Sequence, residues 1–264
     1  MLNGEGRLSQ TSYEILQPLI SNGLSLVVAT GRTRDNAVGA FQPLKLTLPI
    51  ITDNGTFVYD AVNNKFLSKK IISDELAKQS MDLIRKYRVS PYINTLDGES
   101  INVYYGDFTN EAQEIYYTKR SSYGLSGYIK DTSYTQFSQH TVFNFSMLET
   151  KENLIALYEE FLKIENLTTV MFPAEYFDGY YWLEILPSNS GKGQALDFLK
   201  ETYKPKKIVC FGDNLNDLCM FERADVKVVP SNAVPEVLEI ADIIIGPCTQ
   251  DSVAKYIEED FKAN

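Results

Sequence analysis

The chain has 264 residues, 44% of them hydrophobic and 23% charged, enough for a sizeable core in one large domain or two moderate ones. A formal net charge of −10 argues against non-specific binding to nucleic acid or anionic membranes, and means that an anionic substrate has to be held by a local device. No apolar run approaches the length of a membrane span and no signal-peptide pattern is present. The three scattered cysteines (Cys210, Cys219, Cys248) form no CxxC pair and read as reduced thiols, so a cytoplasmic location is expected.

In chain order, the opening "MLNGEGRLSQ" reads like the middle of a loop. "LSQTSYEILQPLISNG" then places Tyr13, Leu16, Leu19 and Ile20 at helical spacing, with Gly23 as a stop. "LSLVVATGRT" is a short apolar run ending in Thr30-Gly31 and predicts a strand buried on both faces. A weaker helix in "RDNAVGAFQPL" and an apolar strand in "LPIITDNG" complete an α-β-α-β rhythm, that of a doubly wound parallel sheet.

From about residue 60 to 185 the texture changes. Helices are expected in "SDELAKQSMDLIRKY" and "TKENLIALYEEFLKI", and aromatic-rich strands in "INVYY", "TVFNFSML", "TTVMFP" and "YYWLEIL". The two-residue alternation of "TVFNFSML" predicts an antiparallel or mixed sheet with one wet face. Beyond it the α/β rhythm returns through "GKGQALDFLKETY", "KKIVCFGDN", "LNDLCMFERA", "DVKVVP", "NAVPEVLEIA", "DIIIGP" and "QDSVAKYIEEDF". The organisation expected is a core domain from residues 1–59 and 186–264, with an α/β domain of residues 60–185 inserted between its halves.

The strongest local signal is "FGDNLNDLCMF", where a buried strand delivers Gly212, Asp213, Asn214, Asn216 and Asp217 at its carboxyl end. Two carboxylates and two amides in five residues make a hard-oxygen cluster suited to Mg²⁺, beyond what capping the next helix requires. Thr30 and Gly31 also end a strand, where a hydroxyl and free backbone N–H groups can hold a phosphate; a plain turn is equally open on these residues alone. Lys192 opens a helix, where the macrodipole disfavours a cation unless it is aimed at an anion. A solvated surface lysine is the alternative, and with Leu186 where the first glycine belongs this is not a Walker A loop. Asn54-Gly55 reads as a hairpin turn, His140 as a surface residue, and "YFDGYYWLEI" as packing of the inserted domain against its neighbour.

The ordered set resembles the haloacid dehalogenase superfamily of phosphohydrolases, within it the Cof-type subfamily with a large α/β cap. "LEILPSNSGKGQAL", "FGDNLNDLCMF" and "SNAVPEVLEIADIII" carry the likeness, which covers nearly the whole chain. The resemblance implies a Rossmann-like core and Mg²⁺-dependent hydrolysis of a small phosphorylated metabolite through an aspartyl-phosphate. Thr30 and Gly31 would hold the phosphoryl group, Lys192 would neutralise its charge and orient the nucleophile, and Asn216 would lie near the phosphate. Asp213, Asn214 and Asp217 would make the Mg²⁺-binding set, with Asp213 on the metal, Asn214 near it and Asp217 completing the acidic turn.

The family's chemistry begins with Asp-x-Asp-Gly-Thr at the end of the first strand, supplying nucleophile and general acid/base. The motif occurs nowhere in the 264 residues, while "MLNGEGRLS" fits the segment that follows it in such proteins. The expectation is that Met1 aligns just after the motif, that the first core strand is absent, and that the chain as it stands is inactive. A phosphate-binding pseudo-enzyme and a phosphomutase are the alternatives.

Overall fold

The computed structural model describes residues 7–122, 127–174 and 176–263. The opening "MLNGEG", on which the alignment of Met1 depends, lies outside the described residues. In chain order the first elements are α1 (Gln10–Ser21), α2 (Arg34–Phe41), β1 (Ile50–Thr52), β2 (Phe57–Asp60) and β3 (Lys65–Lys69). There follow α3 (Asp74–Tyr87), β4 (Pro91–Asp97), β5 (Ser100–Tyr105), α4 (Glu111–Ser122), β6 (Tyr128–Lys130), β7 (Thr141–Thr150), α5 (Lys151–Phe161), β8 (Leu167–Pro173) and β9 (Tyr180–Pro187). The last are α6 (Lys192–Tyr203), β10 (Val209–Phe211), α7 (Leu218–Phe221), β11 (Val226–Pro230), α8 (Pro235–Leu238), β12 (Ile243–Ile245) and α9 (Ser252–Ala263). The chain is α/β, and it divides into two compact units: one joins the segment ending at Lys69 to the segment beginning at Ser190, the other is Lys70–Asn189.

In the first unit β10, β11 and β12 pair in parallel, each returning through a helix as the periodicity requires. β1, β2 and β3 form an antiparallel meander. The α1 helix starts because Ser9 caps it, its Oγ accepting from the Ser12 N–H at 2.9 Å. It ends before Gly23, whose φ of +100° suits glycine. Its apolar stripe, Leu16, Leu19 and Ile20, packs with Val253, Ala254 and Ile257 of α9 in one cluster.

The segment Leu24–Thr30 departs from the sequence expectation. It is extended but joins β1 only through a parallel bridge at Ala29–Ile51, and Val28 is its one buried residue. A strand buried on both faces needs neighbours on both sides. Among the described residues this segment hydrogen-bonds as a strand on one side, to β1, and β10 pairs on one side, to β11.

The second unit is built on one six-stranded sheet in the order β6-β5-β4-β7-β9-β8, antiparallel throughout except for β5–β6. One face carries Ile93, Phe145, Met147, Leu183 and Ile185, which pack with Met81 and Ile84 of α3 and Leu154, Leu157 and Phe161 of α5. Burying each such side chain contributes about 1.5–3 kcal/mol. The opposite face is partly covered by α4, where the Tyr92 hydroxyl donates to the Gln113 carbonyl at 2.9 Å. The start of α4 is tied down by Glu149, a buried carboxylate that accepts from Thr109 Oγ1 at 2.9 Å and Asn110 Nδ2 at 2.7 Å. Together with the amide of Asn153, which also donates to it, they outweigh burial and hold its carboxyl below the usual range.

Candidate active site

The first unit gathers the polar residues at the carboxyl ends of its strands. After β10, the turn Gly212–Asp217 folds back on itself through the Asp217 side chain. Asp217 Oδ2 accepts the backbone N–H groups of Asp213 at 2.9 Å and Asn214 at 3.2 Å. Asn214 Oδ1 accepts the Leu215 N–H at 2.7 Å. A Cβ on Gly212 would stand 2.5 Å from Cβ of Asp217, so only glycine allows the turn to close this tightly.

Asp217 is also the partner of Lys192: Nζ donates to Oδ1 at 2.7 Å, and the two side chains are 7% and 6% exposed. A lysine at a helix start faces the positive end of the macrodipole, and a buried ammonium alone would carry a large desolvation cost. Here the carboxylate 25 positions downstream compensates both. Gly193 lets α6 approach the turn: a Cβ there would lie 2.5 Å from the Cys219 carbonyl oxygen. Its N–H donates to Cys219 Sγ at 3.2 Å.

The Thr30-Gly31 turn reaches the same place through Asn54. Thr30 Oγ1 accepts the Arg32 N–H at 3.1 Å, and the Asn54 N–H donates to the Thr30 carbonyl at 3.2 Å. A Cβ on Gly31 would lie 2.7 Å from Asn54 Oδ1. That oxygen accepts from Asn216 Nδ2 at 2.9 Å across 162 positions of sequence. Gly55, at φ +93°, packs against the start of α6; a Cβ there would overlap the Gly191 carbonyl at 2.1 Å. The Asn54-Gly55 pair, read from sequence as a turn between strands, does turn the chain from β1 into β2 and is also the link between the two strand-end loops. Its side-chain role left no local signal, because Asn-Gly serves both purposes.

All seven residues singled out from sequence (Thr30, Gly31, Lys192, Asp213, Asn214, Asn216, Asp217) therefore belong to one unit, most of them in one network with Asn54. They differ in what they leave available. Both oxygens of Asp217 are committed, to Lys192 and to the backbone. The Asp213 carboxylate is exposed and has no hydrogen bond to another described side chain, and Asn214 beside it is exposed as well. Among the described residues no three His, Cys, Asp or Glu side chains converge as a ready-made metal cluster. The donor set fits Mg²⁺, which binds through one or two carboxylates and keeps several waters, better than a metal that needs a full protein cage.

The other residues weighed from sequence lie elsewhere. His140 is in the second unit, part-buried and stacked on Tyr104 with ring centroids 5.9 Å apart. Trp182, expected to pack against a neighbouring domain, is engaged inside its own unit with Tyr116 at 4.9 Å and Tyr92 at 6.4 Å, because α4 folds back over that face. The three cysteines form no disulfide.

The strand-end turns of the first unit thus bring a hydroxyl, backbone N–H groups, a buried lysine–aspartate pair and an exposed carboxylate together in an α/β protein. Comparison with known proteins gives the family: haloacid dehalogenase-like hydrolase matches residues 1–257, and the chain belongs to it. It is 24% identical over 272 residues to the 5-amino-6-(5-phospho-D-ribitylamino)uracil phosphatase YwtE of Bacillus subtilis, covering 98% of this chain and 94% of that protein. It is 26% identical over 265 residues to an HMP-PP phosphatase of Serratia proteamaculans, covering 98% and 90%. The pyridoxal phosphate phosphatase YbhA of Escherichia coli is 25% identical over 269 residues, covering 97% and 93%. Among solved structures, a Thermotoga maritima protein superimposes with a TM-score of 0.79 at 29% identity, over 98% of this chain and 92% of that one.

Proposed function

We propose that this chain carries the phosphate- and Mg²⁺-binding apparatus of a phosphohydrolase of small phosphorylated metabolites, and that by itself it does not turn substrate over. The observation that carries the reading is the buried Lys192–Asp217 pair at a strand end, in the same unit as the Thr30-Gly31-Asn54-Asn216 network. In this reading Thr30 Oγ1 and the Gly31 N–H bind phosphate oxygens, and the ammonium of Lys192 neutralises part of their charge. Asn54 positions Asn216 toward the same anion, and Asp217 is a positioning residue that fixes the lysine and the turn. Asp213, with Asn214 beside it, would hold Mg²⁺, which when bound supplies the positive charge that a −10 chain otherwise denies an anionic substrate.

No Asp-x-Asp-Gly-Thr occurs in the 264 residues, so no side chain is assigned as the nucleophile. This supports phosphate binding without hydrolysis, the pseudo-enzyme reading, for the chain as it stands. The organic part of the substrate is left to the class that the relatives share, a small phosphorylated metabolite.

The test is Mg²⁺-dependent hydrolysis of an aryl phosphate by this chain and by a version with a β-strand ending in Asp-x-Asp-Gly-Thr grafted ahead of Met1. Isothermal titration with inorganic phosphate runs alongside. The expected result is phosphate binding by both and hydrolysis only by the grafted form. Hydrolysis by the ungrafted chain overturns the statement that it lacks a nucleophile. Absence of phosphate binding, or binding untouched by Lys192→Met, overturns the site.

A further inference from the structure

The two edges of the second unit's sheet differ. On one side β6 has three residues and ends in Lys130, which is ion-paired with Asp107 at 2.8 Å. In the first unit the edge strand β3 carries Lys65 and Lys69 at its ends. Shortness and lysines guard an edge against pairing with another chain. On the other side β8, "LTTVMFP", has seven residues and no charge. Among the described residues no strand pairs with its outer side.

The ladder fixes which groups that edge presents. On the register that joins β8 to β9, the Ser188 N–H donates to the Asn166 carbonyl at 3.1 Å and the Ala174 N–H to the Tyr180 carbonyl at 2.9 Å. Alternation then turns the N–H and C=O of Thr168, Val170 and Phe172 toward β9, and those of Leu167, Thr169 and Met171 outward. Pro173, which has no N–H, ends the outward row. Thr169, at the centre of that row, holds a buried Oγ1 that has no hydrogen-bond partner.

Apolar side chains flank the edge on both faces. The α5 helix lies over β8 and β9, with α3 beside it over β7. It directs Leu154, Leu157 and Phe161 into the core, and Glu160 and Ile164 toward Leu83 and Lys86 of α3. At about 100° per residue, Ile155 and Leu162 fall on the remaining side, away from α3 and toward the β8 edge, and both are exposed. On the opposite face of β8, Val170 and Phe172 are exposed as well.

We propose that β8 pairs antiparallel with β8 of a second copy of this chain, about a two-fold axis at Thr169. In that register Leu167 meets Met171 of the second copy and Thr169 meets Thr169, and each such pair exchanges two backbone hydrogen bonds. Pro173 stays outside the paired row. The two Thr169 hydroxyls stand opposite each other, and each supplies the partner the other lacks. The absence of charge from Leu167 to Pro173 means that the two-fold sets no like charges face to face there. Ile155 and Leu162 of both copies cover the junction on one face, Val170 and Phe172 on the other. The inference is independent of the phosphate chemistry assigned to the first unit.

The experiment is sedimentation equilibrium of the full chain over a range of concentrations, with Thr169→Pro and Leu162→Lys beside it. Thr169→Pro removes an outward N–H and leaves the bonds to β9 in place, while Leu162→Lys puts a charge at an exposed helix position. The expected result is a monomer–dimer equilibrium whose dissociation constant rises tenfold or more in each variant, with unchanged circular dichroism. Hydrogen exchange locates the contact: the Leu167, Thr169 and Met171 amides slow as the dimer forms, whereas those of Val170 and Phe172 are protected in monomer and dimer alike. A chain that stays monomeric at every concentration, a dimer that either variant leaves intact, or a dimer whose outward amides exchange at the monomer rate overturns the proposal. If Thr169→Pro fails to fold, Leu162→Lys and the exchange rates decide the outcome.

Discussion

Two acidic side chains set the two units against each other. Asp217 is buried at a strand end of the first unit with every oxygen occupied, by a lysine and two backbone N–H groups. Glu184 lies in the middle of the second unit's sheet with no hydrogen bond to another described residue, and burial pushes its carboxyl up to about 7. The first unit uses short strands, three to five residues, and concentrates its polar chemistry in the loops that follow them. The second uses strands of up to ten residues and carries its acidic side chain on the sheet itself. A carboxylate whose charge is compensated stays ionised and holds the structure in place, and one that is not compensated keeps its proton to a higher pH.

Breaking the compensated pair gives the largest expected effect. Asp217→Ala leaves Lys192 buried without a counter-charge and strips two backbone N–H groups of their acceptor, at a cost of about 3–5 kcal/mol. Urea unfolding reads it, and a loss under 1 kcal/mol sinks the account of the turn. Gly55→Ala comes next. A left-handed φ of +93° and a Cβ 2.1 Å from the Gly191 carbonyl cannot both be relieved without moving α6 from the β1–β2 turn. A loss of about 2–4 kcal/mol is expected from strain and overpacking together.

Glu184→Gln sharpens the comparison, because its sign is opposite. With a folded value near 7 against the ordinary 4.5, the folded state keeps a proton between those pH values that the unfolded chain has released. Stability therefore falls as pH rises through that window and stays lower above it. The glutamine variant should be more stable at pH 8 by about 2 kcal/mol, with no gain at pH 4. Equal melting temperatures of the two proteins at pH 8 would contradict an unpartnered carboxyl. The smallest effect belongs to Asn54→Ala, which removes the acceptor of Asn216. It is expected to cost about 1 kcal/mol in stability while weakening phosphate binding several-fold, and calorimetry separates the two.

Long periodic segments were legible at once. The α3 and α5 helices and strands β7 and β9 lie where periodicity puts them, because a stripe or an alternation that must face a core leaves one solution. The α4 helix was not legible: its apolar residues make no clean stripe, Ile115 is 44% exposed, and its docking depends on its Tyr116 meeting Tyr92 and Trp182 from two distant strands. The β2–β3 hairpin was hidden too, since "VYDAVNNKFLSKK" mixes strand and turn residues evenly. Leu24–Thr30 shows the converse. Its composition marks a buried strand, but composition reports preference and a ladder requires partners, of which the described residues supply β1 alone.

Of the site, the sequence by itself determined which residues stand at the ends of which strands: Thr30-Gly31, Asn54-Gly55, Lys192 and the turn from Gly212 to Asp217. Residue type and spacing along one strand or helix are local properties, and local preference fixes them. Tertiary structure alone decided that Asp217 pairs with Lys192 and not with solvent, that Asn54 belongs with Asn216, and that burial in the sheet raises the Glu184 carboxyl. Those outcomes depend on what lies across 25 and 162 positions of chain and on adjacent strands of a sheet. The energy of a buried charge is set by such neighbours, and no stretch of sequence contains them.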